Sequence, residues 1–210
     1  MKQQFHINPS DYPLDIFEIC KRISNVEIQA VPFKTADLRG MVSLAQNESD
    51  IHCILVNSNK SFQEQNFHGF HELMHIPTVD QPGTILRCYD TVKPNQDSYI
   101  EWLANEGAAE FVVPYQLLLP MIKREIRQMI TGIGTWQFCE NHSYDFGVSP
   151  IVLQNRIDSL KYETYQYLNG VPFDKIEILS WNKQKQRGIN VKSLVELESG
   201  RLRQMWNIAI

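Results

Sequence analysis

The sequence lacks the features that mark exported, membrane-spanning or disulfide-stabilised proteins. Its longest apolar runs, such as residues 117–119, are far too short to span a bilayer. The first residues contain no apolar segment of the kind found in a signal peptide. Four cysteines are scattered without a Cys-x-x-Cys pair, which is typical of reduced thiols in a cytosolic protein. The sequence therefore predicts a soluble, cytoplasmic protein of ordinary globular composition.

Internal repeats, low-complexity tracts and a strong charge of either sign are absent as well. The formal net charge is −4 over 210 residues. Residues 1–120 carry 8 Lys and Arg against 15 Asp and Glu, whereas residues 121–210 carry 12 against 9. A mildly basic C-terminal part is compatible with binding a nucleic acid or an acidic partner but requires neither.

The most informative stretch is the motif His-Glu-x-x-His, formed by His71, Glu72 and His75. On a helix the two histidines lie one turn apart on the same face, where their imidazoles can bind one Zn²⁺. Glu72 then lies beside the metal and its bound water. The apolar residues around the motif favour a helix, and Pro77 is predicted to end it. Burying two histidines and a carboxylate on such a helix is costly unless they are paired or bound to a metal.

A third ligand is expected on a second helix, because a catalytic zinc keeps three protein ligands and one open position. In residues 101–114, Glu101 and Asn105 share one helical face with small residues, which lets two helices come close. Asn105, one turn after Glu101, is a candidate for orienting a ligand. Asp97 or Ser98 can cap this helix at its N-terminus.

The pattern Glu-x-x-Ala-Asn-x-x-Ala-x-Glu that begins at Glu101, downstream of His-Glu-x-x-His, resembles the ImmA/IrrE family of bacterial metallopeptidases. The resemblance covers roughly residues 10 to 160. It implies that His71, His75 and Glu101 bind the metal and that Glu72 is the general base.

At two positions the chain departs from the pattern of the family that it resembles. Gly107 stands where the family often has Phe, and Met74 stands where the family has Gly inside the zinc motif. Neither residue is a ligand, so the departures bear on helix packing and leave the expected chemistry unchanged.

The resemblance implies a zinc-dependent endopeptidase with one Zn²⁺ per chain, although another divalent metal remains open. Glu72 would take a proton from the zinc-bound water and return one to the leaving amine. Such proteins are similar to anti-repressors, so the expected partner is a transcriptional repressor of the helix-turn-helix class. The alternatives are a regulatory protein- or DNA-binding module with a structural or vestigial metal site, and a toxin-like partner in a two-gene module. Glu72 favours the enzyme, because a structural site needs no base.

Further candidate residues lie near the connection between the two helices. Residues 78–98 form a loop-rich segment that is long enough to act as a lid. Tyr89, Tyr99 and His68 are candidates for donating a hydrogen bond to a tetrahedral oxyanion, and each also fits a structural role. Cys88 could approach the metal, with a reduced core thiol as the alternative.

The predicted fold is α+β, with a zincin-like core formed by a small antiparallel sheet, the His-Glu-x-x-His helix and the Glu101 helix. A helix is expected over residues 10–24 and strands over 26–33, 40–45 and 51–56. Part of residues 41–57 is expected to be an edge strand that pairs with an extended substrate.

The C-terminal part is predicted to contain a helix-turn-helix-like appendix. One helix covers residues 136–144, and a second begins at Pro150 with a buried stripe formed by Leu153, Ile157 and Leu160. Few cations surround it, so DNA binding is not expected. Beyond it we predict a strand over residues 176–181, a solvated turn over 183–188 and a short helix within 195–206. The expected domains are the peptidase domain (1–131), the helical module (132–168) and a tail without assigned role (169–210).

Overall fold

The computed structural model describes residues 7–91, 93, 94, 96–130, 134–191 and 194. The chain forms two compact units, one of residues 1–112 and 144–149, the other of residues 113–143 and 150–210. Strands and helices are both present, so the predicted α+β class is confirmed. None of the described helices has the length and apolar character needed to cross a membrane.

The first unit contains a four-stranded sheet and the two helices predicted to carry the metal ligands. After the 3₁₀ turn Pro9–Asp11, its elements are α1 (Ile16–Cys20), β1 (Val26–Val31), β2 (Leu38–Ser43), β3 (His52–Asn57), α2 (Phe62–Thr78), β4 (Ile85–Tyr89) and α3 (Ser98–Val112). The helix predicted over residues 10–24 is thus reduced to a turn and α1. Pro13 lies between them and disfavours helical backbone at the residue before it.

The sheet is mixed, and the prediction of an antiparallel sheet is wrong for one of its three pairings. The strand order is β1-β3-β2-β4. β2 pairs antiparallel with β3 and with β4, whereas β1 pairs parallel with β3. β1 joins the side of β3 that the β2–β3 hairpin leaves free, and it runs in the same direction as β3.

β4 lies within the segment that was predicted to be a loop. Because β2 and β3 are both interior strands, the edge-strand prediction for residues 41–57 is wrong, and β1 and β4 are the edges among the described strands. A five-residue strand without marked alternation gives a weak sequence signal. Its position is determined by pairing with β2.

The helix α2 begins with a capping box, in which Ser61 and Glu64 satisfy each other's backbone N–H groups. It passes through Pro77 and ends at Thr78, so the prediction that Pro77 ends it is wrong. The Val79 N–H donates to the His75 carbonyl at 3.0 Å, and the Thr78 hydroxyl donates to the Met74 carbonyl at 3.0 Å. The proline removes one donor without interrupting the last turn.

The core of the first unit lies between α2, α3 and the sheet. Asp97 caps α3 as predicted, since its carboxylate accepts from the Tyr99 N–H at 2.8 Å and the Ile100 N–H at 3.3 Å. Ala104 and Ala108 on α3 are fully buried, and their small side chains let α2 approach closely. The side chains of Val42, Ile54, Val56 and Phe70 are fully buried as well.

The second unit is helical. Its described helices are α4 (Tyr115–Met129), α5 (Gly134–His142), α6 (Pro150–Ser159), α7 (Lys161–Leu168) and α8 (Trp181–Gln186), with a 3₁₀ segment at Phe173–Lys175. All but the first residue of the 3₁₀ segment Ser143–Phe146 belong to the first unit. Leu153, Ile157 and Leu160 are buried as predicted. The helix-turn-helix character of α5 and α6 stays a prediction, as do the boundaries of the three predicted domains.

The strand predicted over residues 176–181 is absent from the structure, which has extended chain there followed by α8. The backbone of Glu177 is satisfied by one side chain: its N–H donates to Gln166 Oε1 at 2.9 Å, and its carbonyl accepts from Gln166 Nε2 at 2.8 Å. No partner strand is therefore needed at this residue. Ser180 then caps α8, which replaces the predicted turn at 183–188. The helix predicted within residues 195–206 lies outside the described residues.

Candidate metal centre

The side chains of His71, His75 and Glu101 converge between α2 and α3. All three are buried, with 1%, 0% and 5% of their surface exposed. The Nε2 atoms of the two histidines are 3.1 Å apart. From Glu101, Oε2 lies 3.3 Å from His71 Nε2 and Oε1 lies 3.8 Å from His75 Nε2.

These distances suit a single small cation. Ligands about 2.0–2.2 Å from a tetrahedral zinc lie roughly 3.3 Å from one another, which is close to the separations observed. The three groups form a candidate metal-binding cluster in the part of the chain that the structure describes. Two imidazole nitrogens and one carboxylate can therefore bind one ion with little rearrangement.

Asn105 lies on α3 and orients the ring of His71. Its Oδ1 atom is 3.0 Å from His71 Nδ1. An amide oxygen only accepts hydrogen bonds, so this contact places the proton on Nδ1 and leaves the lone pair of Nε2 directed at the cluster. This hydrogen bond lets Asn105 orient a histidine of the cluster, which is the role considered for it from the sequence.

Gln96 orients Glu101 and was not among the predicted residues. Its Nε2 atom donates to Glu101 Oε1 at 3.0 Å and to the Arg87 carbonyl on β4 at 2.7 Å. Its own Oε1 accepts from the Lys93 N–H at 2.7 Å. The sequence carries no signal for this role, because residue 96 lies in a connection without regular structure.

Glu72 is fully buried beside the cluster; its carboxylate faces the backbone N–H of Cys88, and no described side chain forms a hydrogen bond with either of its oxygens. Burial, together with the charge of Glu101, raises the pKa of this carboxyl well above its usual range. Gly40 on β2 makes room for it, since a Cβ at that position would lie 2.8 Å from Glu72 Oε1. A lone glycine inside a predicted strand often marks such a close approach, so the sequence contained a signal for Gly40.

Two residues of the cluster, His75 and Glu101, are in the protonation state that binds a metal. Burial, and then His71, lowers the pKa of His75 to about 4, so its imidazole is neutral at pH 7. Burial opposes ionisation of Glu101, but His71, His75 and Gln96 together hold the pKa of its carboxyl below the usual value. Neutral imidazoles and an ionised carboxylate are the forms that bind metals.

The remaining residues considered from the sequence, namely His68, Tyr89, Tyr99 and Cys88, lie outside the cluster of His71, His75 and Glu101. His68 Nδ1 lies 3.6 Å from Cys88 Sγ, and burial lowers the pKa of His68 to about 3. Lys93 lies 5.0 Å over the ring of Tyr89, and Tyr99, 63% exposed, stacks on Trp102. Among the described residues, no hydrogen bond or ring contact joins either tyrosine to the cluster. Burial, and then Glu72, raises the pKa of the Cys88 thiol.

Comparison with protein-family models matches residues 22–158 to the IrrE N-terminal-like domain, a family designated Peptidase M78. The match spans well over half of the chain and includes both helices of the cluster. The family is one of metal-dependent peptidases. No curated protein matches the chain.

Proposed function

The chain belongs to the IrrE N-terminal-like family of M78 peptidases, and from this membership we propose that it is a zinc-dependent endopeptidase. The observation that carries the proposal is the fully buried carboxylate of Glu72, which lies beside the His71–His75–Glu101 cluster without a side-chain hydrogen-bond partner among the described residues. A structural or vestigial metal site would gain nothing from such a group and would bear the cost of burying it. A peptidase requires a base in this position.

In the proposed enzyme, His71, His75 and Glu101 hold the zinc ion. Two nitrogen ligands and one carboxylate form a common ligand set of catalytic zinc, and the fourth position stays open. When bound, the ion would polarise the scissile carbonyl and activate water. Asn105 and Gln96 hold two of the ligands in place before the metal arrives.

Glu72 moves the proton in this mechanism. Water adds to the carbonyl carbon of the peptide bond, the C–N bond breaks, and the proton passes through the Glu72 carboxylate to the leaving nitrogen. Burial raises the pKa of Glu72 in the metal-free chain, and a bound dication would lower it again, so that the carboxylate could take the proton from water and hold it between the two steps. The space left by Gly40 allows the carboxylate to take this position.

The free edge of β4 is the proposed site for the substrate backbone. β4 is an edge strand in the described sheet, and its residue Cys88 lies beside Glu72. An extended peptide can add to such an edge by backbone hydrogen bonds, which places one of its peptide bonds near the metal. The proposed substrate is a transcriptional repressor of the helix-turn-helix class, and this choice rests on the family resemblance.

The test compares the zinc-loaded chain with its Glu72→Gln variant on the proteins of the source organism. After incubation, newly formed N-termini are labelled and identified by mass spectrometry. We expect a small set of new termini that falls about 10²–10⁴-fold in the variant, although both proteins hold one zinc per chain. The matched control is Glu48→Gln, at an exposed turn, which should cleave at the wild-type rate. Equal cleavage by Glu72→Gln would contradict the mechanism, and metal uptake without any cleavage would favour a binding module.

A further inference from the structure

Cys88 is a buried metal-binding side chain that the proposed mechanism does not use. It lies on β4 directly opposite Gly40 and is 6% exposed. Its Sγ atom, a ring nitrogen of His71 and a carboxylate oxygen of Glu72 all lie within 4.8 Å of one another. Of the four cysteines, all free, Cys88 alone joins a group of potential metal ligands within the described residues.

A second observation supports a ligand at this position. The Glu72 carboxylate within the same group is fully buried and has no side-chain hydrogen-bond partner among the described residues. A cation bound by His71, His75 and Glu101 would have the Cys88 thiol and the Glu72 carboxylate on its other side. Zinc binds sulfur at about 2.3 Å, so its sulfur and nitrogen ligands lie roughly 3.5 Å apart. Cys88 groups with His71 and Glu72 but not with His75 and Glu101, so rotation about one of its side-chain bonds must bring the sulfur toward the ion.

On the basis of the proposed function, we propose that Cys88 is a fourth protein ligand of the metal in the resting protein. The S–H bond breaks, a metal–sulfur bond forms, the proton is released to water, and the metal keeps its oxidation state. A centre with four protein ligands has no open position and resembles a structural zinc site. The resting protein is therefore latent.

The position of Cys88 on β4 connects this latency to the substrate. A peptide that pairs with the free edge of β4 adds hydrogen bonds along the strand that carries the thiolate. If pairing at this edge withdraws the sulfur, Cys88 takes up a proton again and the fourth position opens for water. Substrate binding and activation would thus be one event.

The test uses cobalt in place of zinc, because Co²⁺ reports its ligands by absorption. Visible d–d bands show that the ion is bound, and a near-ultraviolet charge-transfer band shows a thiolate ligand. The wild type should give both signals. Cys88→Ser should keep the d–d bands and lose the charge-transfer band, whereas the exposed-cysteine control Cys53→Ser should match the wild type.

The outcomes separate this inference from the proposed function. Visible bands without charge transfer in the wild type would overturn the cysteine ligand and leave the three-ligand site intact. Absence of cobalt uptake by the wild type would overturn both proposals. X-ray absorption of the zinc-loaded wild type needs no variant: one sulfur at about 2.3 Å supports the proposal, and a shell of nitrogen and oxygen alone overturns it.

Discussion

At the scale of single residues, the two histidines of the candidate metal cluster are oriented differently. His71 is held through its Nδ1 atom by Asn105, whereas His75 Nδ1 has no hydrogen-bond partner among the described residues. The ring of His75 instead lies edge-on to His71, with ring centroids 4.7 Å apart. Asn105 therefore orients one ring directly and supports the other through it.

This arrangement predicts that Asn105→Ala lowers the zinc affinity of the protein about 10–100-fold, the usual cost of removing a partner of a ligating histidine. The affinity can be measured by competition with a chromophoric chelator. Asn169→Ala, at an exposed asparagine of the second unit, is the control and should bind zinc like the wild type. An unchanged affinity in Asn105→Ala would show that packing alone orients the ring of His71.

At the scale of secondary-structure elements, the two departures from the family pattern lie in contact across α2 and α3. A Cβ added at Gly107 would meet Met74 Cγ and Sδ, both at 3.0 Å. The chain thus has a large residue on α2 and a small one on α3, where the family pattern often has the reverse. The exchange of sizes explains how α2 and α3 keep their close packing in this chain.

The contact predicts energetic coupling between the two positions. Gly107→Phe alone should cost about 1–3 kcal/mol of unfolding free energy by overpacking, and Met74→Gly alone should cost about 2–5 kcal/mol by leaving a cavity. The double variant should recover part of this loss, with a coupling energy of about 1–3 kcal/mol. Urea unfolding of the wild type, the two single variants and the double variant gives the coupling energy. Strictly additive losses would mean that the two side chains do not share one space.

At the scale of the whole first unit, a single buried asparagine joins three separate parts of the chain. Asn66 on α2 accepts from the Ile16 N–H at 2.9 Å and donates to the Leu14 carbonyl and the Gly147 carbonyl, each at 2.9 Å. Residues 144–149 belong to this unit although they are distant in sequence. Gly147 has a φ of 64°, a conformation that favours glycine, and a Cβ there would lie 3.2 Å from Asn66 Nδ2.

Asn66→Ala should therefore destabilise the first unit by at least about 2 kcal/mol, because each buried backbone group left without a partner costs about 1–3 kcal/mol. Chemical denaturation gives the unfolding free energy. The control is Asn47→Ala, an exposed turn residue that bonds only to Asp50 among the described residues. If the two substitutions cost the same, water must replace the hydrogen bonds of Asn66.

The sequence by itself determined the local parts of this protein. The spacing of His71 and His75, the position of Glu101 and Asn105 on one helical face, and the cap at Asp97 all depend on residues within a few positions of one another. Helical periodicity relates such residues directly, so their geometry follows from the chain alone.

Tertiary structure decided the pairings between distant segments. The parallel pairing of β1 with β3, the strand β4, and the approach of Gly40, Gln96 and Cys88 to the cluster each join residues with no periodic relation in sequence. A short strand becomes stable only when a partner supplies its hydrogen bonds, and a buried carboxylate is confined only by the residues that pack around it. The residues of the candidate metal cluster could thus be predicted from the sequence, whereas their surroundings required the fold.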